Sequence, residues 1–279
     1  MESSKLQKLR ELIRSYGSCL VAYSGGVDSV FLARVVNEVL GEKALAVIAD
    51  SPSLPRREME EAVAIAEKFN IPLQVVRTKE FDNPDYLANP NNRCYFCKHE
   101  LFTEIAPLAR ARGFAVIAYG ENASDVGDHR PGALAAEEFE VRAPLKEAGL
   151  TKAEIRELSA HFGLPTADKP QMACLSSRVP YGETVSPKKL SMIEQAEYVL
   201  RDLGFHDVRV RHHELSSALA GQSPTVRHLA RIEVGPAEMS KLLIDDAASN
   251  VAVALKKIGY AHVTLDLQGY RRGSVNEKT

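Results

Sequence analysis

With 279 residues, 45% of them hydrophobic and 26% charged, the chain carries enough apolar side chain for one large or two modest cores. No apolar run approaches the ~20 residues of a membrane span, and the opening MESSKLQKLRELIRSYG lacks a signal-peptide core, so the expected setting is the cytosol, with reduced thiols and no membrane contact. A formal net charge of −2 supplies no global basic field, which argues against nucleic acid as a partner.

In chain order, an amphipathic helix, KLQKLRELIRSYG, leads into SCLVAYSGG, an apolar run that stops at glycines and reads as a buried strand. The helix VDSVFLARVVNEVLG follows and ends at Gly41. Strand ALAVIAD, helix PRREMEEAVAIAEKFN, strand PLQVVRT, helix CKHELFTEIAPLARARG and strand FAVIAYG continue the alternation. Strands and helices alternating at this spacing predict an α/β fold, a doubly wound parallel sheet covered on both faces. After the helix TKAEIRELSAHFG, the Pro- and Ser-rich stretch LPTADKPQMACLSSRVPYGETVSP reads as a long functional loop. A second, smaller α/β domain is expected beyond it, built from helix PKKLSMIEQAEYVLRDLG, strands DVRVRHH and LARIEV, helices across 236–259 and strand AHVTLDL. The expected domains are therefore residues 1–185 and 186–279.

The segment SGGVDS, Ser24 to Ser29, sits where the first strand hands over to the first helix of the sheet. Gly25 and Gly26 let the backbone turn tightly and approach a ligand, while amide N–H groups and the helix's positive end favour an anion. Ser24 and Ser29 add hydroxyl donors. Asp28 would repel phosphate unless Mg²⁺ mediates, so a metal-bound nucleotide is the expected ligand. The end of a strand in a doubly wound sheet is also where ligands bind. The polar run GENASDVGDHRPG (120–132) lies past the fourth strand at the same sheet edge; Gly120, Asn122, Asp125, Asp128 and Arg130 are suited to ribose, Mg²⁺ or substrate, against the plainer reading of a solvated loop.

Four cysteines divide into two groups. Cys19, inside the first strand, reads as core. Cys94 and Cys97 lie at i and i+3 near a helix start, where the helix end favours thiolate, and Cys174 lies in a polar loop beside Arg178. Three thiolates can hold a four-iron cluster with one iron open, or zinc with one open position; a CxxC can also be a redox pair or chance spacing. Arg209 and Arg211 alternate in VRVR and so share a strand face, suited either to gripping phosphate or carboxylate or to plain surface charge. Glu233 and Glu197 are weaker candidates for the same pocket. His212 and His213 are adjacent on a strand, face opposite sides and cannot easily share an ion.

SGGVDS resembles the PP-loop of ATP pyrophosphatases; no Lys-Ser/Thr follows the glycines, so it is not a Walker A loop. That likeness implies a Rossmann-like sheet of the PP-loop/HUP type, ATP and Mg²⁺ as cofactors, adenylation of a substrate oxygen with pyrophosphate release, and Asp50 at the end of the second strand flanking the adenine. Nearly the whole chain resembles the LarE family of sulfur transferases in nickel-pincer cofactor biosynthesis, through AYSGGVDS, YGENASDVGDHRPG, CLSSRVPYG, LGFHDVRVR, LARIEV and HVTLDLQGYRRG. The resemblance implies a pyridinium-3,5-dicarboxylate mononucleotide as the small-molecule substrate and a homo-oligomer. Its phosphate would meet Arg209 and Arg211, with Arg178 nearby.

Two chemistries go with that family. In one, a cysteine in the C…SSR.PYG loop gives up its own sulfur; in the other, that cysteine joins a CxxC in holding a [4Fe–4S] cluster that carries an extra sulfide. Cys94, Cys97 and Cys174 match the second pattern, which would need an external sulfide or sulfur donor to renew it. Sacrificial donation from Cys174 and tRNA thiolation by a PP-loop enzyme are the alternatives, the latter disfavoured by the near-neutral charge. An amide-forming synthetase with structural zinc, or a nucleotide-binding regulator, fits less well.

Overall fold

The computed structural model describes residues 4–125, 131–171, 173–217, 225–271 and 274–276. Elements run α1 (Ser4–Tyr16), β1 (Cys19–Tyr23), α2 (Val27–Leu40), β2 (Ala44–Asp50), α3 (Arg56–Lys68), β3 (Leu73–Arg77), α4 (Pro84–Leu87), α5 (Arg93–Ala111) and β4 (Val116–Tyr119). They continue with α6 (Pro131–Glu138), α7 (Pro144–Glu147), α8 (Lys152–His161), α9 (Pro187–Asp202), β5 (Val208–Ser217), β6 (Thr225–Val234), α10 (Ala247–Ile258) and β7 (His262–Leu265).

The chain divides into two compact units: Met1–Glu80 with Asn92–Met172, and Phe81–Asn91 with Ala173–Thr279. The expected boundary at residue 185 is thus displaced. Leu175, Val179 and Val185 pack with Leu190 and Ile193 of α9, and Phe81 packs against the same cluster. This apolar patch draws both the Cys174 loop and the segment before the CxxC into the second unit. Asn89 fixes the join: in the left-handed region at φ 53°, its amide donates to the carbonyls of Val179 (3.3 Å) and Pro180 (2.7 Å).

The first unit holds a parallel sheet in the order β3-β2-β1-β4. Period-two alternation explains its continuous apolar strands. Cys19, Val21 and Tyr23 of β1 and Ala44, Ala46 and Ile48 of β2 enter one core with α1, α2 and α3. Leu20, Leu45 and Val47 enter the opposite core with Phe102 and Ile105 of α5 and Ala135 of α6. Both faces are covered, as the sequence predicts. Cys19 is fully buried, and burial pushes its thiol up to about 12, which makes it a core residue and not a reactive one. Helix α5 starts at Arg93, four residues before the expected CKHEL start, so both CxxC cysteines lie in its opening turns.

The second unit holds a three-stranded sheet in the order β5-β6-β7, antiparallel between β5 and β6 and parallel between β6 and β7. Val208, Val210, Ala230, Ile232 and Val234 meet Ala196 and Leu200 of α9 and Val251 and Leu255 of α10. It is the smaller α/β unit expected from the sequence. Among the described residues, no helix is long and apolar enough to cross a membrane.

Candidate functional site

In the first unit, the chain leaves β1 and turns at Gly25, whose φ of +71° falls in the left-handed region. A Cβ there would sit 2.6 Å from the Ala62 Cβ, so both conformation and space require glycine. Gly26 occupies the N-cap of α2 without a side chain to cap it. The hydroxyls of Ser24 and Ser29 lie 3.0 Å apart; Ser24 N donates to Ser29 Oγ (3.1 Å), and Ser29 Oγ donates to the Gly26 carbonyl (3.1 Å). The loop is therefore tied down before any ligand arrives. A helix N-terminus left uncapped by side chains, with hydroxyls beside it, suits a polyphosphate.

The loop opens onto a cavity of about 210 Å³ between the ends of β1 and β4, lined by Ser24, Asp28, Ser29, Lys98, Tyr119 and Glu121 among others. Gly120 is where β4 passes α2: a Cβ would come within 3.0 Å of Ser29 N and 3.1 Å of the Asp28 Cβ. Lys98 Nζ lies 4.5 Å above the Tyr119 ring. The Tyr119 hydroxyl donates to Glu121, which also accepts from Lys146 (3.0 Å). Burial works to raise the Glu121 pKa, but those two bonds hold the carboxyl below its usual range.

Asp28 has a partner that the sequence reading missed. Lys152 Nζ lies 2.6 Å from its Oδ2, and Asn122 Nδ2 donates to its Oδ1 at 3.3 Å. Lys152 is the first residue of α8, whose capping box of Thr151 and Glu154 fixes that end. The signal was legible as Thr-Lys-Ala-Glu before an apolar-periodic helix. A lysine at the phosphate loop means that Asp28 does not depend on Mg²⁺ alone for charge balance. Asn122 also accepts from Ser124 N (2.9 Å), and its own N–H donates to Asp125 (3.1 Å), so these two side chains shape the loop after β4. Asp128 and Arg130 lie outside the described residues. Asp50 is held by Arg56, which also donates to the Ser51 and Leu54 carbonyls at 2.6 and 2.9 Å and so braces the loop after β2. Cys94 is exposed and Cys97 half-buried on α5.

In the second unit, Cys174 is half-buried and precedes a 3-10 turn, Leu175–Arg178. Arg178 clasps this loop from inside: Nη1 donates to the Ala173 and Cys174 carbonyls at 2.8 and 3.0 Å. Its other edge meets Glu197 bidentately, Nε to Oε1 at 2.8 Å and Nη2 to Oε2 at 3.1 Å, with both side chains at most 3% exposed. Burial opposes both charges, yet the pairing holds Arg178 above and Glu197 below its ordinary pKa, so both are ionised. Tyr86 reaches the same loop through Ser176 Oγ at 2.9 Å.

Arg209 and Arg211 share a buried strand face. Arg211 is spoken for: Nε and Nη2 donate to Glu233 Oε2 at 3.0 and 2.8 Å, and Nη2 also donates to Ser274. Glu233, fully buried, further accepts from Ser274 Oγ and pairs with Arg231 at 3.2 Å. Arg209 differs. It is 9% exposed, donates to the Val208 carbonyl at 2.7 Å and stacks 4.9 Å from the Tyr270 ring, and among the described residues no carboxylate pairs with it. Burial, then the charges of Arg178 and Arg201, pull its pKa down. The charge of Glu197, already bonded to Arg178, opposes that pull, so Arg209 is a buried cation whose attraction comes from a carboxylate held by another arginine. Among the described residues, no group of three His, Cys, Asp or Glu side chains is gathered so as to hold a metal ion.

Residues 3–126 match the NAD synthase family, a span that contains the whole SGGVDS loop. The chain is 43% identical to an uncharacterized protein of Synechocystis over 99% of this chain and 98% of that one. It is 32% identical to the pyridinium-3,5-bisthiocarboxylic acid mononucleotide synthase of Lactiplantibacillus plantarum, over 92% of this chain and 88% of that protein. The glutamine-hydrolysing GMP synthase of Carboxydothermus hydrogenoformans is 29% identical over 72% of this chain but only 43% of its own length. Two-unit coverage by the synthase, together with a phosphate loop at the β1–α2 turn, makes the assignment: the chain belongs to the LarE family of PP-loop proteins.

Proposed function

We propose that the protein is an ATP-dependent sulfurtransferase acting on a carboxylate of pyridinium-3,5-dicarboxylate mononucleotide, in nickel-pincer cofactor biosynthesis. The observation that carries this reading is the similarity to the L. plantarum synthase across both units. In the first unit, Ser24, Gly26 and Ser29 would cradle the pyrophosphate of ATP, Asp28 would take Mg²⁺, and Lys152 would turn from Asp28 to the phosphates as the metal arrives. A substrate carboxylate oxygen attacks the α-phosphorus, the bond to pyrophosphate breaks, and an acyl-adenylate forms. Sulfur then attacks the acyl carbon and AMP departs with the bonding pair. In the second unit, Arg209 would receive the substrate's phosphate, because Arg178 and Arg211 already hold carboxylates and are supports.

For the sulfur, the donor set suits iron: Cys94 and Cys97 lie one turn apart on α5, and Cys174, just before the 3-10 turn Leu175–Arg178, is a third thiol of the kind such a cluster takes. When bound, a [4Fe–4S] cluster would supply sulfide as the nucleophile. Cys94, Cys97 and Cys174 would hold it with three thiolates and leave one position unprotected. A sacrificial reading, in which Cys174 yields its own sulfur, has one observation in its favour: among the described residues no three metal-ligating side chains are gathered. Anaerobic purification with iron and acid-labile sulfide assays separates the two. The cluster reading expects about four irons per chain and loss of both colour and turnover in Cys94→Ala. Iron-free protein that loses one sulfur at Cys174 per turnover overturns it in favour of the sacrificial reading.

A further inference from the structure

The second unit buries an imidazole that no step above uses. His212 of β5 is fully buried, and both of its ring nitrogens are engaged: Nδ1 lies 3.1 Å from the Tyr260 hydroxyl, and Nε2 lies 3.1 Å from Nδ1 of His228 on β6. Tyr260 is buried at 2% exposure, whereas His228 is half-buried. The three groups therefore form a file from core to surface.

The file has a direction. A buried tyrosine hydroxyl needs its hydrogen placed, and His212 is the hydrogen-bond partner that the structure gives it. With Tyr260 donating to Nδ1, His212 must carry its proton on Nε2 and donate to His228 Nδ1. His228 then carries its own proton on Nε2. When a proton from water adds to His228, both of its nitrogens become donors, and N–H would face N–H across 3.1 Å. The contact survives only if the proton of His212 moves to Nδ1. It then donates to the Tyr260 oxygen, and the tyrosine's hydrogen loses its buried acceptor. One proton is gained, and no bond between heavy atoms changes.

We propose that the Tyr260–His212–His228 file is an acid-sensitive switch in the second unit, closed when both imidazoles are neutral and reversed or broken when His228 is protonated. Burial favours the neutral state of both imidazoles, and the charged groups facing the file divide. Lys188 and Lys189 of α9 oppose a charge on His228, and Lys189 and His213 oppose one on His212. Glu214, opposite His228 in the β5–β6 register, favours the charge, but its carboxylate is held by Lys189 at 2.9 Å. Glu183 lies beside the same lysine and glutamate. Burial first, then His228, pulls His212 down to about 3, and burial also lowers His228. Folded-state values below the ordinary 6.5 mean that the unfolded chain binds more protons. Stability is thus present above pH 6.5 and is lost progressively as pH falls below it.

Nitrogen-15 NMR of the full chain labelled at histidine, titrated from about pH 7.5 to about pH 5.5, reads the tautomers directly. His212 is expected on the Nε2–H tautomer at the upper end, with its shifts moving in step with His228 protonation. Urea unfolding over the same range is expected to show a falling midpoint whose fall is smaller, though not abolished, in His228→Gln, because His212 and His213 are also held low in the folded chain. A His212 spectrum indifferent to His228 protonation overturns the proposal, and so does a midpoint that falls as far in His228→Gln as in the natural protein. The NMR arm needs no variant, so a failure of His228→Gln to fold leaves the test intact.

Discussion

The two units use charge in opposite ways. In the first, the charged pair at the phosphate loop, Lys152 with Asp28, is 33% and 22% exposed, and the loop's serines add hydroxyls and amides. In the second, Arg178 with Glu197 and Arg211 with Glu233 are at most 5% exposed. Near water, an ion pair is cheap to open, and its partners can be handed to a ligand. Away from water, each ion is stranded without the other, so the pair becomes scaffold. The difference teaches where to look for ligand contacts: in the first unit at the pair itself, in the second at Arg209, which among the described residues has no carboxylate in an ion pair with it although Glu197 attracts it.

The largest effect that tests this contrast is Glu197→Gln. It leaves the Arg178 guanidinium buried beside a neutral amide, and breaking a buried pair from one side costs about 3–5 kcal/mol. Urea unfolding should show that loss, and the double substitution Arg178→Met with Glu197→Met should recover part of it, because the Arg178 charge leaves with its partner while Arg201, 3.7 Å from Glu197, still loses one. A Glu197→Gln variant as stable as the natural protein would mean that the net is not scaffold.

That prediction also marks what the sequence could say. SGGVDS announced its own place, since a glycine pair between an apolar strand and a periodic helix has few other uses, and strands buried on both faces announced a parallel sheet. Arg209 and Arg211 were legible as a same-face pair by alternation alone. Their unequal fates were not, because Glu233 is supplied by β6 and Glu197 by α9, and nothing local to VRVR reports which arginine a distant carboxylate will meet. Lys152 was missed for the same reason: 124 residues separate it from Asp28. The unit boundary was misplaced because Phe81 and Leu190, far apart in sequence, share one apolar patch.

An intermediate effect is expected from Lys152→Gln. The pair is part-exposed, so unfolding should stay within about 0.5 kcal/mol of the natural protein. Calorimetric titration with ATP should weaken by about tenfold, or ~1.4 kcal/mol, because a phosphate-facing cation is gone while the Asp28 charge remains. Withholding Mg²⁺ should deepen the loss, since Asp28 then has neither neutralising partner. Unchanged affinity in both conditions would remove Lys152 from the site and restore the simpler view of Asp28 as a metal ligand alone.

The smallest effect comes from the device that places Lys152. Thr151 Oγ1 accepts from Glu154 N, and Thr151 N donates to Glu154 Oε2 at 2.8 Å, closing the capping box one residue before the lysine. Thr151→Ala should cost about 1 kcal/mol of stability and leave the Lys152 charge in place. ATP affinity should therefore fall less than in Lys152→Gln, through fraying and not through lost charge. The cap carries its own pH signature. Hydrogen bonds from Lys5 and then Thr151 bring Glu154 from 4.5 down to about 2, so its contribution is complete above pH 4.5 and disappears as pH falls towards 2. Lys5 and Glu154 are 38% and 36% exposed, so added salt should shrink that contribution, whereas the buried Arg178–Glu197 pair should barely respond. Equal salt sensitivity in the natural protein and in Glu154→Gln would detach the cap from its lysine and leave the hydroxyl as the whole of its effect.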